Sequence, residues 1–466
     1  MGEDYDVDLA VIGSGGAAMS AAIAASQAGK SVLLIERGVL GGTCVNIGCV
    51  PSKTLLAAAG ARHAALTNPF TGASTSAGPV NLGALVAQKD GLIERLREAK
   101  YADVAAAYGF EVRPGQATFL DMDTLAVDGE ALRARAYLVA TGSTPAVPDV
   151  TGLDSVDWLT STTAMELPEL PESLVIIGGG SVGMEQAQLF AHLGAQVTVV
   201  GRLAPRTEPE LAQGLRDVFA DAGITVVEEH ATSVATDASP RGQEVVVSTA
   251  SGAQVHAAQL LVATGRVAGT DGLALDVAGV EVDERGFVVV DETQRTTNPR
   301  VYAAGDVSGA PQYVYVAAAG GRVAALNALA DDSAAPARVD YTGLPAVVFT
   351  RPQLASAGLT EEEAVARGHA CDCRVLDLSD VPRALVQHDT QGAVKLVADA
   401  ATGKVLGVHA LADGAGEMML AATYAIKAGM TVDELADTWA PYLTMAESLR
   451  IVAGLFRNQM PTSCCA

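Results

Sequence analysis

The sequence lacks any uninterrupted apolar run of about 20 residues, the length that a membrane-spanning helix requires. Its apolar stretches, such as residues 174–183 and 313–330, are broken by glycine and by charge. Residues 1–10 also lack the basic segment with which a secretory signal begins. These absences argue against a membrane protein and predict a soluble protein of the cytoplasm.

Positive charge is scarce, because 30 Lys and Arg residues face 54 Asp and Glu, for a formal net charge of −24. Nucleic acids and anionic membranes are therefore poor partners for the molecule as a whole. Cysteine is scarce too, with six residues, and structural disulfides are rare in the cytoplasm. Four of the six form two close pairs, Cys44/Cys49 and Cys464/Cys465. We interpret these pairs as reactive groups.

A strand, a glycine-rich turn, a helix and a second strand occur twice along the chain. The first copy has strand 6–12 and the turn Gly13-Ser-Gly15-Gly16-Ala-Ala18, and the second has strand 174–177 and the turn Gly178-Gly-Gly180-Ser-Val-Gly183. Such turns let a pyrophosphate approach the backbone at a helix N-terminus. The sequence therefore predicts two Rossmann-like dinucleotide-binding domains, with a purely structural turn as the alternative.

A second repeat indicates how these two domains are arranged along the chain. The segment Leu138-Val-Ala-Thr141-Gly142 returns as Leu261-Val-Ala-Thr-Gly265, which predicts that the second domain is inserted into the first. From about residue 338 short strands alternate with helices, as is typical of an α+β domain. The predicted domain boundaries are 1–148, 149–266, 267–337 and 338–466.

The charged residues after each glycine turn indicate which dinucleotides bind. Glu36 follows the first turn at the distance where an acid accepts hydrogen bonds from a ribose diol. In the second copy Arg202 and Arg206 stand where guanidinium groups would hold a 2′-phosphate, which favours NADPH over NADH. Asp306, beside Gly305 at a strand end, could accept hydrogen bonds from a flavin ribitol. The alternatives are an acidic loop and solvated arginines.

The segment Gly41-Gly42-Thr43-Cys44-Val-Asn-Ile-Gly-Cys49-Val-Pro-Ser-Lys53 is the most informative part of the sequence. Four intervening residues at the start of a helix let the two thiols approach each other, and a helix N-terminus lowers a thiolate pKa. A zinc site would need two further ligands at matching spacing, and none is nearby. We therefore predict a redox-active pair, with a coincidental pair of buried cysteines as the alternative.

Residues 41–53, the two glycine turns, Gly305-Asp306 and the C-terminal domain together resemble the flavoprotein disulfide reductases. That family includes lipoamide dehydrogenase, glutathione reductase, thioredoxin reductase and the mercuric reductases. The resemblance implies an α/β fold with two Rossmann-like FAD/NAD(P)-binding domains plus a C-terminal α+β dimerisation domain. Residues 1–148 and 267–337 would bind FAD, 149–266 would bind NADPH, and 338–466 would form the dimerisation domain with a Cys-Cys tail.

The resemblance also implies roles for individual residues. Cys49 would face the flavin, Cys44 would exchange with substrate, and an ion pair of Lys53 with Glu185 would lie near the flavin. Active sites would lie at the interface of a homodimer. The implied FAD and NADPH contacts are Gly13, Gly15, Gly16, Ala18, Glu36, Gly42, Thr43, Lys53, Thr141, Gly142, Gly178, Gly180, Gly183, Arg202, Arg206, Gly265, Arg266, Asp306 and Val314.

A missing histidine bears on which substrate the enzyme reduces. Disulfide-reducing relatives carry an HPTxxE pattern whose histidine protonates the released thiolate. Here Tyr442 takes its place while Glu447 keeps its spacing, and a tyrosine ordinarily has a pKa near 10. Reduction of Hg(II) to Hg(0) needs two electrons and no proton on sulfur, and it favours soft thiolate ligands. Tyr442 would then help to hold the metal, or would pack at the subunit interface.

The sequence ends in Cys464-Cys465-Ala466. Mercuric reductases carry such a tail, and by resemblance the tail of one subunit would pass Hg(II) from low-molecular-weight thiols to the Cys44/Cys49 site of its partner. The alternatives are a disulfide reductase of the thioredoxin reductase or lipoamide dehydrogenase type, and a non-enzymatic mercury-binding protein. Cys371 and Cys373 match no motif of the family. The predicted catalytic residues are Cys44, Cys49, Tyr442, Cys464, Cys465, Lys53, Glu185 and Glu447, and the predicted mercury ligands are Cys44, Cys49, Tyr442, Cys464 and Cys465.

Overall fold

The computed structural model describes residues 5–239, 242–331 and 333–457. The chain divides into two compact units. The first contains the residues up to 54 together with 84–147 and 265–340, and the second contains 55–83, 148–264 and the residues from 341 onward.

The first unit is built on a five-stranded parallel sheet. Its inner strands are apolar and largely buried on both faces, as in most parallel sheets, whereas the edge strand Glu111–Pro114 is partly exposed. In sheet order they are Val301–Ala303, Ala134–Val139, Val7–Ile12, Val32–Glu36 and Glu111–Pro114. The helices that begin here are Gly16–Gln27, Gly42–Asn46, Cys49–Leu66, Asp103–Tyr108 and Val314–Leu329, with a π-helical turn at Glu98–Ala102.

Small residues let helices pack closely on one face of this sheet. The helix Gly16–Gln27 buries six alanines against the sheet and against the helix Val314–Leu329. The opposite face is covered by a small antiparallel sheet of Ala117–Phe119, Leu125–Val127 and Glu130–Leu132, which buries Phe119 and Leu125. A two-stranded ribbon pairs Ser143–Pro145 with Arg266–Ala268.

The second unit contains another parallel sheet, which has four strands. Their order is Thr225–Val227, Gln196–Val200, Ser173–Ile177 and Gln259–Val262. An antiparallel sheet of Ala231–Ser239, Gly242–Thr249 and Gln254–Ala257 adjoins it. The helices of this part are Ser161–Ala164, Ser181–Leu193 and Pro209–Asp221, whereas the helix Leu82–Arg97 belongs to the first unit from residue 84 onward.

The C-terminal part of the second unit is a five-stranded antiparallel sheet covered by helices. In sheet order the strands are Pro345–Val348, Gln353–Gly358, Val405–Ala412, Ala393–Asp399 and Cys371–Asp377. The helices are Glu361–Ala366, Pro382–Gln387, Ala415–Ala428, Val432–Ala436 and Glu447–Gly454. Two begin with capping boxes, Thr360 with Glu363 and Thr431 with Glu434, which satisfy backbone N–H groups of the first turn.

The two parallel sheets and the antiparallel C-terminal sheet confirm the predicted fold class. The residue boundaries of the four predicted segments stay a prediction. Within the described ranges of the chain, none of the helices combines the length and the apolar character that crossing a bilayer demands.

Candidate active site

The first glycine turn connects the strand Val7–Ile12 to the helix Gly16–Gln27. Gly13 has φ +109°, and a Cβ at this position would lie 2.4 Å from the Ala140 carbonyl oxygen. Gly42, with φ +63°, approaches the same turn so closely that its Cβ would lie 2.6 Å from the Gly15 Cα. Only glycine fits at these two positions. The turn is thereby held beside the segment that carries the cysteines.

Ser14 connects the glycine turn to Glu36 and to the cysteine segment. Its hydroxyl donates a 2.5 Å hydrogen bond to Glu36 Oε2 and accepts a 2.9 Å hydrogen bond from the Gly41 N–H. The Gly38 N–H donates to Glu36 Oε1 at 2.7 Å. These contacts fix the Glu36 carboxylate at the end of its strand. The sequence reasoning missed Ser14, because any residue is compatible with that position of the glycine pattern.

The residues around this turn fit the adenosine and pyrophosphate of FAD. The helix Gly16–Gln27 begins without a side-chain cap and without an acidic residue in its first turn, so its N-terminal N–H groups favour an anion. The Thr141 hydroxyl oxygen is buried and has no hydrogen-bond partner within the described residues. A buried hydroxyl without a partner is costly. A bound polar group beside Thr141 would satisfy it.

Arg266 and Asp306 meet through Ser143. Arg266 donates from Nε to the Ser143 Oγ at 2.7 Å and from Nη2 to its carbonyl oxygen at 2.6 Å. The Ser143 hydroxyl donates to Asp306 Oδ2 at 2.6 Å. Burial lowers the pKa of Arg266, while Asp306 and Cys49 favour its charged form. The structure therefore brings these two predicted cofactor contacts together, with Ser143 as a third member that the sequence reasoning missed.

Cys44 and Cys49 lie on two successive helices that are separated by Ile47 and Gly48. Cys44 belongs to the short helix Gly42–Asn46, and Cys49 begins the helix Cys49–Leu66. Neither forms a disulfide; Cys44 is partly buried and Cys49 is exposed. A hydrogen bond with Cys49, together with burial and the charge of Cys49, raises the pKa of Cys44, whereas the Lys53 ammonium opposes the rise. The reduced pair therefore loses its first proton well before its second.

Two elements outside the motif hold the cysteine turn. Asn46 donates 3.0 Å hydrogen bonds to the carbonyl oxygens of Leu40 and Gly42, and its own Oδ1 accepts from Arg97 Nε at 2.9 Å. Tyr101 lies in the π-helical turn and packs near Gly41. Burial and the charges of the two cysteines raise the pKa of Tyr101. No signal in the sequence separates this tyrosine from one in an ordinary helix.

The second glycine turn has the same design as the first. A Cβ at Gly183 would lie 1.9 Å from the Gly178 carbonyl oxygen, so this helix can pack on the turn only with glycine. Among the described residues, no atom beyond the glycine's own chain neighbours lies within 4 Å of a Cβ built on Gly180, which leaves open space at the N-terminus of the helix Ser181–Leu193. Arg202 follows the next strand, and its backbone lies against Gly179. The side chains of Arg202 and Arg206 are exposed, so a 2′-phosphate could reach them.

Glu185 and Glu447 are both buried carboxylates of the second unit. Glu185 accepts a 3.0 Å hydrogen bond from the Phe349 N–H. Glu447 accepts from the Leu443 N–H at 3.2 Å and from Arg450 Nη2 at 3.3 Å. Glu447 thereby anchors the loop that carries the half-exposed Tyr442. The ion pair of Glu185 with Lys53 stays a prediction, because these residues belong to different units.

The remaining predicted contacts fall at or beside the turns. In the first unit Gly16 packs against Val314 and Ala18 is fully buried; Gly142 accepts a 2.9 Å hydrogen bond from the Gly269 N–H. Thr43 lies against Gly48, and Gly265 has φ +121°. Cys464 and Cys465 lie outside the described residues.

Two family models match the chain. Residues 7–321 match the pyridine nucleotide-disulphide oxidoreductase family, and residues 344–453 match the dimerisation domain of the same family.

Curated relatives match over almost the whole length. A mercuric reductase of Streptomyces lividans is 52% identical over 98% of both chains. A mercuric reductase of Staphylococcus aureus is 44% identical over 99% of this chain and 85% of its own length. Among solved structures, the HOCl-induced flavoprotein disulfide reductase RclA of Escherichia coli superposes with a TM-score of 0.85 at 29% identity, covering 96% of this chain and 99% of its own.

Proposed function

The chain belongs to the mercuric reductases of the pyridine nucleotide-disulphide oxidoreductase family, and on this premise we propose that it reduces Hg(II) to Hg(0) with NADPH. NADPH becomes NADP⁺, Hg(II) takes two electrons and becomes the neutral metal, and one proton is released. Bound FAD supplies the two-electron connection between NADPH and the sulfur pair. The observation that carries the proposal is the Cys44/Cys49 pair in a chain with Tyr442 in place of the family's histidine.

Cys44 and Cys49 bind the substrate in this proposal. Hg(II) is a soft cation and takes thiolate sulfurs as ligands. Since Cys44 holds its proton tightly in the reduced pair, the incoming metal displaces that proton. The nearby charges of Lys53 and Arg266 favour the negatively charged sulfurs before the metal arrives. The pair then offers two sulfur ligands for one metal ion, and the two electrons that reduce this ion come from NADPH.

Tyr442 has a different role from a histidine at this position. Glu447 accepts a hydrogen bond from the Leu443 N–H. It therefore holds the loop in place and does not orient a protonated base. Because mercury reduction leaves no sulfur to protonate, a tyrosine is sufficient, and its oxygen can approach a metal held by the cysteines. We propose that Tyr442 contacts the bound Hg(II).

The chain forms a homodimer through its dimerisation domain. Large apolar side chains lie exposed in that domain, among them Trp439 at 98%, Tyr424 at 63% and Leu420 at 57%. Exposed apolar area of this kind is typical of an interface. We propose that the active sites lie at this interface, with Tyr442 of one subunit facing the cysteine pair of the other.

We propose that the C-terminal cysteines deliver the mercury. Low-molecular-weight thiols would carry Hg(II) to Cys464 and Cys465, and thiol exchange would pass it to Cys44 and Cys49 of the partner subunit. The support is chemical: adjacent cysteines near a chain end offer two soft ligands for one cation.

The function is tested by anaerobic NADPH oxidation with the purified holoenzyme. Hg(II) with excess small thiol is compared with thioredoxin, glutathione disulfide and lipoamide. We expect rapid oxidation with mercury alone, accompanied by release of elemental mercury. Rapid turnover of a disulfide without turnover of mercury would contradict the proposal and would make this chain a disulfide reductase.

Transfer between subunits is tested with mixed dimers. A Cys44→Ala subunit is combined with a Cys464→Ala/Cys465→Ala subunit, so that one active site in the mixed dimer has an intact pair and a partner with an intact tail. We expect activity above both parents. Mixing Cys44→Ala subunits with a second Cys44→Ala preparation is the control. No gain in the mixed dimers would argue against delivery between subunits.

A further inference from the structure

Cys371 and Cys373 lie on one face of the strand at the edge of the C-terminal sheet. The strand Cys371–Asp377 pairs only with Ala393–Asp399 in the described sheet, with Cys371 opposite Asp399 and Cys373 opposite Val397. Alternate residues of a strand point to the same side. Leu376 faces the apolar core, so the two cysteines face away from it. Both are free thiols and partly exposed.

A cluster of charged side chains borders these thiols. The buried Lys395 Nζ donates to Glu208 and Glu361 at 2.8 Å and to Glu210 at 3.0 Å. The Cys373 thiol is hydrogen-bonded to the same Glu361 carboxylate. One positive group therefore faces three negative groups. The resulting negative field favours a cation at the two sulfurs.

Burial and the neighbouring carboxylates keep both thiols protonated. Burial first, and then the charge of Glu361, raises the pKa of Cys373 to about 12, and burial with nearby carboxylates also raises the pKa of Cys371. Oxidation proceeds through the thiolate, so the pair resists forming a disulfide. A thiophilic cation, in contrast, displaces the thiol protons itself.

The geometry distinguishes between possible ligands of this pair. Two residues along a strand span about 6.6 Å, near the upper limit at which a disulfide closes. A cation between the sulfurs spans more than a direct S–S bond does. Zinc needs four ligands, and no group of three or more His, Cys, Asp and Glu in the described parts of the chain is arranged to hold a metal. A two-coordinate soft cation fits two sulfurs alone.

We propose that Cys371 and Cys373 form a second, non-catalytic binding site for a two-coordinate soft cation, namely Hg(II). Binding is a ligand exchange without redox change. Each Hg–S bond to a small thiol is replaced by one to a cysteine, and each cysteine proton passes to the departing thiolate. The naming of Hg(II) rests on the proposed function, whereas the thiol pair itself does not.

The site is tested in the full-length holoenzyme with Cys44, Cys49, Cys464 and Cys465 all changed to alanine. The protein is incubated with Hg(II) and excess free cysteine, desalted, and analysed for mercury and FAD per chain. We expect retention of about one mercury per chain, as two sulfurs bind one ion. A matched variant that also carries Cys371→Ser and Cys373→Ser should retain none above background, and an unchanged FAD content reports that it is folded.

Single substitutions test whether the two sulfurs act together. Cys371→Ser or Cys373→Ser in the same background should each lose most of the mercury, because a single thiolate exchanges freely with excess cysteine. Equal retention with and without the pair, or full retention by both single variants, would overturn the proposal.

The reductase activity is measured separately from this binding. The Cys371→Ser/Cys373→Ser enzyme with the other four cysteines intact should release Hg(0) at the wild-type rate at saturating mercury. Mercury retention by the pair without any Hg(0) release by either enzyme would refute the proposed function but support the second site. Hg(0) release without retention by the pair would refute the second site alone.

Discussion

Ser143 Oγ donates a 2.6 Å hydrogen bond to Asp306 Oδ2, and both side chains belong to segments that are distant in the sequence. The same oxygen accepts from Arg266 Nε at 2.7 Å. Because Ser143 is only 6% exposed, water cannot easily replace its hydroxyl. One buried hydroxyl therefore fixes the orientation of Asp306, which is predicted to contact the flavin, and of Arg266, which is predicted to contact a cofactor.

We expect Ser143→Ala to weaken FAD binding. A hydrogen bond to a charged group contributes about 1.5–3 kcal/mol, so loss of the hydroxyl should raise the FAD dissociation constant about tenfold or more. Titration of the apoenzyme with FAD, followed by flavin fluorescence, measures the change. Ser308→Ala is the matched control, because it also removes a serine hydroxyl, but one that donates at 2.9 Å to the Gly305 carbonyl oxygen and not to the Asp306 side chain. Equal FAD affinity in the two variants would contradict the role of Ser143.

The exposed Arg202 and Arg206 should determine the preference for NADPH. We expect Arg202→Glu with Arg206→Ala to raise the KM for NADPH far more than that for NADH, since a carboxylate repels a 2′-phosphate and both guanidinium groups are lost. Steady-state kinetics with both nucleotides measure the effect. Arg216→Ala is the control, because Arg216 lies on the helix Pro209–Asp221 and is engaged in a 3.0 Å ion pair with Glu228. Equal changes for the two nucleotides would refute recognition of the phosphate.

The glycine turns could be predicted from the sequence because each has a local steric cause. Gly13 and Gly183 stand where a Cβ would collide with a carbonyl oxygen of a neighbouring segment, and such positions leave a fixed pattern in the chain. The helices that start at Glu361 and Val432 could also be placed, since their capping residues and apolar spacing lie within a few residues. A structural feature whose cause lies within a few residues can therefore be recognised in the sequence.

The residues that contact the predicted site residues could not themselves be predicted, because tertiary structure brings them together. Ser143 is separated from Asp306 by 163 positions, and no local pattern marks either contact. Tyr101 approaches the cysteines through a π-helical turn, which has no sequence signature. The Lys395 cluster joins positions as far apart as 187 residues. Cys371 and Cys373 therefore remained without a role until their neighbours were known.

The titrations of the two thiols of the active pair should depend on each other. Cys49 raises the pKa of Cys44 through a hydrogen bond and through its charge, with burial as a further cause. We expect Cys49→Ala to lower the pKa of Cys44 relative to the NADPH-reduced wild-type enzyme, because only burial then raises it. The pH dependence of the alkylation rate of Cys44 measures the shift. Adding Lys53→Met should raise the pKa again, since the ammonium favours the thiolate; an alkylation midpoint insensitive to both changes would contradict the coupling.

His192 is a buried neutral histidine in the second unit. It is 5% exposed, and its ring stacks on His63 with centroids 3.8 Å apart. Its Nε2 has no hydrogen-bond partner among the described residues. Burial, followed by the charges of His63 and Arg351, lowers its pKa to about 3. The folded protein therefore keeps this ring uncharged under mildly acidic conditions.

This depressed pKa predicts a loss of stability in acid. An unfolded histidine has a pKa of about 6.5, so between about pH 6.5 and pH 3 the unfolded chain binds a proton that the folded chain does not. Stability then falls as the pH falls through this window, by up to about 1.4 kcal/mol per pH unit. We expect His192→Phe, which keeps a ring to stack on His63, to flatten the dependence of Tm on pH between about 6 and 4. His230→Phe changes an exposed histidine and should leave the slope as it is. If both variants retain the wild-type slope, acid sensitivity comes from groups other than His192.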